Sequence, residues 1–366
     1  MLPREPMAIN HTCGAVHKIR LAGQPDLPAL AELLPELDGP SYSERFPGKT
    51  CDDFIRWKYL NNPAGEAAVG IALDGERVVS IVAGTPKRVR LGGHDTLAFE
   101  LGDFITVPEH RKRGLFSKLI NLVCDAAGER GATFAYVRPN DMSFPILASH
   151  LSFSEPAQIE SRRFLVASAA VERKLGVPAN LLSQFGIDSL LRRLTIPRAP
   201  GGITVTRIDR FGDDIDQLWM HTRDQYSFAL VRDSRYLNWR FIDCPTPYRC
   251  WVARRSDGVA GYLVAFVART QPIATILDLF THPTDEDTTA ALLGTALDAM
   301  LREGTQAVYT WTAQTHAESA SSRLLKRACR LVQKPLLHFA VRPLKPASAT
   351  LPSSGWQLTA GDFDGF

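Results

Sequence analysis

The sequence predicts an α/β fold made of two tandem copies of one unit, each a twisted mixed sheet flanked by helices with a splayed central strand pair. Three observations predict it. The chain has 366 residues, 45% of them hydrophobic and 22% charged, which is length and apolar content for two cores. One ten-residue pattern occurs twice, 182 residues apart. After each copy, helix-periodic and strand-like segments follow in the same order.

Residues 54–63 read FIRWKYLNNP and residues 236–245 read YLNWRFIDCP. Both are aromatic, aliphatic, any, Trp, basic, aromatic, aliphatic, any, any, Pro, so Trp57 matches Trp239 and Pro63 matches Pro245. Each copy leads to an Asp-Gly pair, Asp74-Gly75 or Asp257-Gly258, between β-rich runs, the signal of a hairpin. Next, LGDFITVPEH (101–110) aligns with ILDLFTHPTD (276–285), which places Asp103 on Asp278, Thr106 on Thr281 and Pro108 on Pro283. A helical segment ending in Gly follows each, KLINLVCDAAGERG and LLGTALDAMLREG. A further strand closes each unit, ATFAYV and QAVYTW. The units span 17–166 and 202–345. Residues 167–201 read as a helical connector ending in the linker IPRAPGG, and 346–366 as an extended tail that docks through Trp356.

The charge balance, 42 basic against 39 acidic residues, demands neither a nucleic-acid nor a membrane-surface partner. No apolar run is long enough to predict membrane insertion. The start, MLPREPMAINHTCG, has no apolar core of signal-peptide type. The six cysteines contain no Cys-x-x-Cys pair and read as reduced packing thiols, so a cytoplasmic protein is expected. The nine histidines show no ligand spacing, and no metal is expected.

The segment richest in chemistry is VPEHRKRGLFSKLI, residues 107–120. A strand runs into Pro108, then Arg111, Lys112, Arg113 and Gly114, then a helix with Leu115, Leu119, Leu122 and Val123 on one side. A basic, glycine-containing turn at a helix N-terminus is an anion site, because free amides and the helix dipole point at one place. Gly114 lets the backbone approach the anion, and the three cations suit a diphosphate or a ribose phosphate.

These residues resemble motif A of the GNAT superfamily, the Gcn5-related N-acetyltransferases, whose consensus is Arg/Gln-x-x-Gly-x-Gly/Ala after a strand. Arg111 and Gly114 fit, while Phe116 departs from the final small residue. A subgroup with a Trp-Lys/Arg-Tyr-x-x-x-Pro motif upstream carries Phe there, and it often sits among surface-polysaccharide genes. The run from Val137 through Asn140 and Ser143, then Leu151-Ser152-Phe153, resembles the family's Pro-Asn turn and closing Leu-Gly-Phe.

The resemblance implies acetyl-CoA as donor, lying between splayed strands at about 97–107 and 132–138, with its pyrophosphate at Arg111, Lys112, Arg113, Gly114, Leu115 and Phe116. Backbone at Phe104, Ile105 and Thr106 would polarise the thioester carbonyl, Asn140 would bond the pantetheine arm, and Ser143 would lie against the cofactor. A carboxylate would deprotonate the acceptor amine. Asp103 is preferred over Glu100, although Asp278 echoes Asp103 in the other unit and suggests a fold role. Their spacing of three puts them on opposite strand faces unless a bulge intervenes, and Gly102 is a candidate for one. Tyr136 and Ser143 are the candidate thiolate donors, with Tyr136 set against a core role. Asn140 has an alternative as an Asx-turn residue, and Trp57 and Trp239 read as packing anchors.

At the aligned position the second unit has Asp285, Glu286 and Asp287, which satisfy the helix dipole and repel a diphosphate. A degenerate second domain is therefore expected. The leading reading is an acyl-CoA-dependent N-acyltransferase with a small amine acceptor, an amino sugar or amino acid derivative. The alternatives are a Fem-like aminoacyltransferase and a non-catalytic CoA-binding or interaction module.

Overall fold

The computed structural model describes residues 17–35, 46–165, 201–313, 319–328, 331–332, 336–344 and 355–364, with Gly176, Pro197 and Pro352. Apart from a few residues, the connector expected over 167–201 lies outside them.

The first unit begins with β1 (Lys18–Leu21) and α1 (Leu27–Leu33). Then α2 (Cys51–Ile55), capped by Thr50 on the Asp53 amide, runs into a π-turn over Arg56–Leu60. Next come β2 (Ala68–Asp74), β3 (Arg77–Leu91) and β4 (His94–Thr106). These are followed by α3 (Leu115–Glu129), β5 (Phe134–Val137), α4 (Phe144–His150) and β6 (Ser154–Leu165). The second unit repeats the plan: β7 (Thr204–Ile208), α5 (Ile215–Thr222), β8 (Phe228–Leu230) and α6 (Ser234–Leu237), again leading into a π-turn, Asn238–Ile242. It continues through β9 (Arg249–Arg255), β10 (Gly258–Val267), β11 (Ile273–Thr281), α7 (Glu286–Arg302) and β12 (Ala307–Ala313). It closes with α8 (Ala320–Ala328), β13 (Leu331–Val332), β14 (Leu337–Pro343) and β15 (Trp356–Gln357).

One continuous sheet carries both units in the order β1-β2-β3-β4-β5-β14-β6-β12-β11-β10-β9-β7. The order reads alike from either end once β14 and β6 trade places. Strand β14 of the second unit pairs with β5 of the first, and β6 of the first pairs with β12 of the second. The linear segments 17–166 and 202–345 therefore do not coincide with the halves of the sheet, because each unit lends its last strand to the other.

The repeated Trp motifs meet at the centre. Trp57 and Trp239 stack at 5.2 Å, and each indole N–H donates to the other's main-chain carbonyl, at 2.6 and 2.9 Å. This is an isologous contact within one chain. It explains why the motif occurs twice: an indole donor buried in apolar surroundings needs an acceptor, and each π-turn supplies the other's. The largest apolar core runs from Leu30 to Phe363 and includes residues of both units.

Both units carry the same two irregularities. Opposite β3, strand β4 holds one extra residue between Gly102 and Ile105. Asp103 there has φ 52°, the left-handed conformation that Asp adopts more readily than most residues. Strand β11 holds an extra residue between Ile276 and Asp278. Each parallel pair then parts: β4 and β5 pair only as far as Glu100 with Tyr136, and β11 and β12 only as far as Ile276 with Thr310.

Candidate active site

Past Glu100, the edge of β4 that faced β5 pairs with no described strand, so main-chain groups over 101–106 border a wedge-shaped cleft. Strand β3 holds the opposite edge of β4, and Ser80 Oγ fixes Thr106 Oγ1 at 2.7 Å. Of the three expected oxyanion positions, Phe104 and Thr106 are half-buried, and Ile105 packs into the core. The Phe116 ring meets the Phe104 ring edge-on at 5.2 Å, which ties the head of α3 to the bulged stretch of β4.

The basic turn stands at the head of α3. Gly114 has φ 72° and an open site where a Cβ would be, and no side chain caps the helix amides. Lys112 is also left-handed, at φ 61°. Arg111 and Arg113 brace the turn through hydrogen bonds to the carbonyls of Thr106 and Glu109, at 2.9 and 3.1 Å, and all four residues 111–114 are exposed. Leu115 is buried and roots the helix. A helix N-terminus with free amides beside three cations favours a nearby anion. The corresponding end of α7 is closed by its own sequence: Asp285 accepts from the Thr288 amide at 2.9 Å and pairs with Arg255.

At the floor of the cleft lies a buried set of charges. The bulge turns Asp103 toward the same group of cations as Glu100. Asp103 Oδ2 accepts from Lys58 Nζ and from the Tyr59 hydroxyl, each at 2.7 Å. Glu100 Oε1 accepts from the Asp364 amide at 2.8 Å, while Oε2 has no hydrogen-bond partner and lies 3.5 Å from Lys87 Nζ. Lys87 also pairs with Asp364 at 2.5 Å. Burial, and next the charge of Asp364, push the Glu100 carboxyl up to about 8, against the pull of Lys87 and Lys58. For Asp364 burial acts the same way, but Lys87, Lys58 and Arg240 outweigh it and hold the carboxyl below its ordinary range.

Tyr136 departs from the expected role of thiolate donor. It is fully buried, and its hydroxyl donates to the Asp362 carbonyl at 3.1 Å, because the C-terminal segment passes beside β5 there. Asn140 and Ser143 bind each other. Asn140 Oδ1 accepts from the Met142 and Ser143 amides, and Ser143 Oγ accepts from the Asn140 amide, which makes an Asx turn at the head of α4. Five residues that sequence reasoning passed over join the site: Lys58, Tyr59, Lys87, Tyr236 and Asp364. A signal existed for Lys58, since a basic residue follows Trp in both motifs, and Lys58 and Arg240 are both buried. Tyr236 Oη has no hydrogen-bond partner, and its ring lies 5.9 Å from Lys87 Nζ.

A bulged strand, a parallel pair that parts beside it and an uncapped basic helix head stand together in the first unit. Residues 41–148 match the family model of the acetyltransferase (GNAT) domain, and this part of the chain belongs to the GNAT superfamily. Among solved structures, the whole chain is similar to a probable N-acyltransferase from Enterococcus faecalis V583 (13% identity, TM-score 0.62, covering 90% of this chain and 72% of that one). It is also similar to a tandem GNAT protein of the clavulanic acid biosynthesis pathway (13%, 0.56, 91% and 100%). A third is the N-myristoyltransferase of Saccharomyces cerevisiae with bound myristoyl-CoA (12%, 0.57, 93% and 80%). These likenesses show the fold. A search of curated proteins by sequence finds no match. No helix among the described residues is long and apolar enough to cross a membrane.

Proposed function

We propose that the chain is an acyl-CoA-dependent N-acyltransferase, with acetyl-CoA as donor and a small primary amine, an amino sugar or amino acid derivative, as acceptor. The observation that carries this reading is the contrast between the two splays. That of the first unit opens beside the uncapped, tribasic head of α3, and that of the second beside a helix head closed by Asp285. The pyrophosphate would lie on the amides from Lys112 to Phe116, and the pantetheine arm along the free edge of β4 toward Asn140 and Ser143. Main-chain groups of Phe104, Ile105 and Thr106 would face the thioester oxygen.

The acceptor nitrogen attacks the thioester carbon. The C–N bond forms, the C–S bond breaks and its electron pair stays on sulfur. The proton lost by the amine goes to Glu100, whose Oε2 has no hydrogen-bond partner. Asp103, already bonded to Lys58 and Tyr59, fits a role in holding the bulge and fixing Lys58. Tyr236, whose hydroxyl is unpartnered, is the better candidate than Tyr136 for the proton that CoA thiolate takes up.

Isothermal titration of acetyl-CoA and longer acyl-CoAs into the wild type and Gly114→Glu tests the donor. One acyl-CoA per chain, lost in the variant, is the expected result, because a carboxylate at the helix head would repel the diphosphate as Asp285 does. No binding to the wild type would overturn the reading.

A further inference from the structure

We propose that the C-terminal segment is part of the first unit's active site, with Asp364 a positioning residue for Glu100 and the second unit the clamp that delivers it. This rests on the acyltransferase reading above.

The segment runs from one splay to the other. Trp356 is buried, packs on Phe228 with ring centroids 4.5 Å apart and tilted by 39°, and lies in β15, parallel to β8. Leu358 and Thr359 line a cavity of about 120 Å³ between β11 and β12, beyond the point where those strands part. The wedge between β11 and β12 is partly filled here by the chain itself. Gly361 lies so close to β11 that an added Cβ would stand 2.9 Å from Phe241 and 3.2 Å from the Leu277 carbonyl. Arg240 donates to the carbonyls of Gly361 and Phe363, at 3.1 and 2.8 Å. Arg232 bridges Asp362 and Asp278, at 2.8 and 3.1 Å. Four buried anchors from the second unit thus fix a segment whose last described residue, Asp364, touches Glu100 in the first.

The contact has a chemical consequence. The Asp364 amide fixes Glu100 Oε1, so Oε2, buried and without a hydrogen-bond partner, is the oxygen left to take up a proton. The Asp364 carboxylate occupies Lys87, which would otherwise be free to pair fully with Glu100 and make it a weak base. Glu100 is faced by Lys87 from β3, Lys58 from the π-turn, Tyr136 and Arg138 from the β5 end and Asp364 from the segment, with Asp103 on its own strand. Of these, the Asp364 carboxylate is the largest influence after burial itself that keeps the Glu100 proton on. The second unit, with its own helix head closed, retains a function as the dock of this segment.

The test combines the pH dependence of acetyl transfer with an infrared titration of the protonated carboxyl band, assigned by its loss in Glu100→Gln. In the wild type the band is expected to titrate near pH 8, together with the rising limb of kcat/KM. In Asp364→Asn both should move down by about one pH unit or more, with kcat reduced and KM for acetyl-CoA within about twofold of wild type. Asp364→Glu should restore part of the shift. If Asp364→Asn does not fold, Gly361→Ala, which pushes the segment off β11, should move the same band. A limb and band that ignore both Asp364 and Gly361 in an active protein would overturn the positioning role alone. A band that responds to Asp364 in a protein that transfers no acyl group would uphold the positioning and overturn the acyltransferase reading.

Discussion

At the residue scale the unusual feature is the charge buried between the units. Lys58, Lys87, Arg232, Arg240, Glu100, Asp278, Asp362 and Asp364 are each less than a tenth exposed. Removing ions from water is costly, and the cost is met only while every partner is present. Lys87 lies between Glu100 and Asp364 with its ammonium 4.6 Å from the centre of the Trp239 ring, so Lys87→Met would leave Asp364 short of its closest cation. A loss of about 3–5 kcal/mol in stability is expected, measured by urea unfolding at neutral pH. Glu100 gives the opposite sign. Its carboxyl is raised from 4.5 to about 8, so the fold prefers it protonated. Its contribution is fully present below pH 4.5 and is lost as pH rises through about 8. Glu100→Gln keeps the neutral shape, and its Tm relative to wild type should rise between pH 6 and pH 9. A difference that does not change over that range would show that Glu100 is already ionised at pH 6.

At the element scale the paired π-turns hold the two units together. Replacing Trp57 by Ala removes the ring stack and the donor to Trp239, and leaves the Trp239 indole over a cavity. A cost of about 3–5 kcal/mol is expected by denaturant unfolding, and Trp239→Ala should match it because the contact is symmetric. Much of this element plan was legible in the sequence. The two Trp motifs, the hairpin turns and the glycine-ended helices are local signals, and each appears at its repeated place. The basic turn was legible for the same reason, since Arg111 to Phe116 are consecutive. The rest of the site was not. Lys87, Tyr236 and Asp364 come from β3, α6 and the C-terminal segment, and nothing in the periodicity of any of them says that they meet. Lys58, Tyr59 and Tyr236 left a trace as repeated basic and aromatic positions of the Trp motif, without a sign that they meet. The bulge that brings Asp103 and Glu100 to one set of cations had one local hint, Gly102, yet the left-handed residue is Asp103 itself. The preference for Asp103 over Glu100 turned on a property no pattern carries, namely which oxygen is left without a partner.

At the scale of the whole molecule the exchange of β6 and β14 decides how the chain folds. Strand β5 ends the first unit's own run of paired strands, and its outer edge is satisfied by residues Ala340 to Pro343 of the second unit. Strand β6 is held by β12 on one edge and by β14 and β13 on the other, all from the second unit. A first unit made alone would therefore carry one unpaired edge on β5 and two on β6, the kind of edge that recruits other chains. It would also lose Trp239, Trp356 and Phe363 from the core it shares. Residues 1–200 expressed alone should aggregate or show no cooperative transition. The full chain, despite having two repeats, should unfold in a single calorimetric step with van't Hoff and calorimetric enthalpies in agreement. Two separated transitions would mean that the repeats are stable without each other's strands. The shared sheet would then be a contact between finished domains, and a C-terminal segment anchored in one of them could not govern a carboxylate in the other as tightly as its hydrogen bond to Glu100 requires.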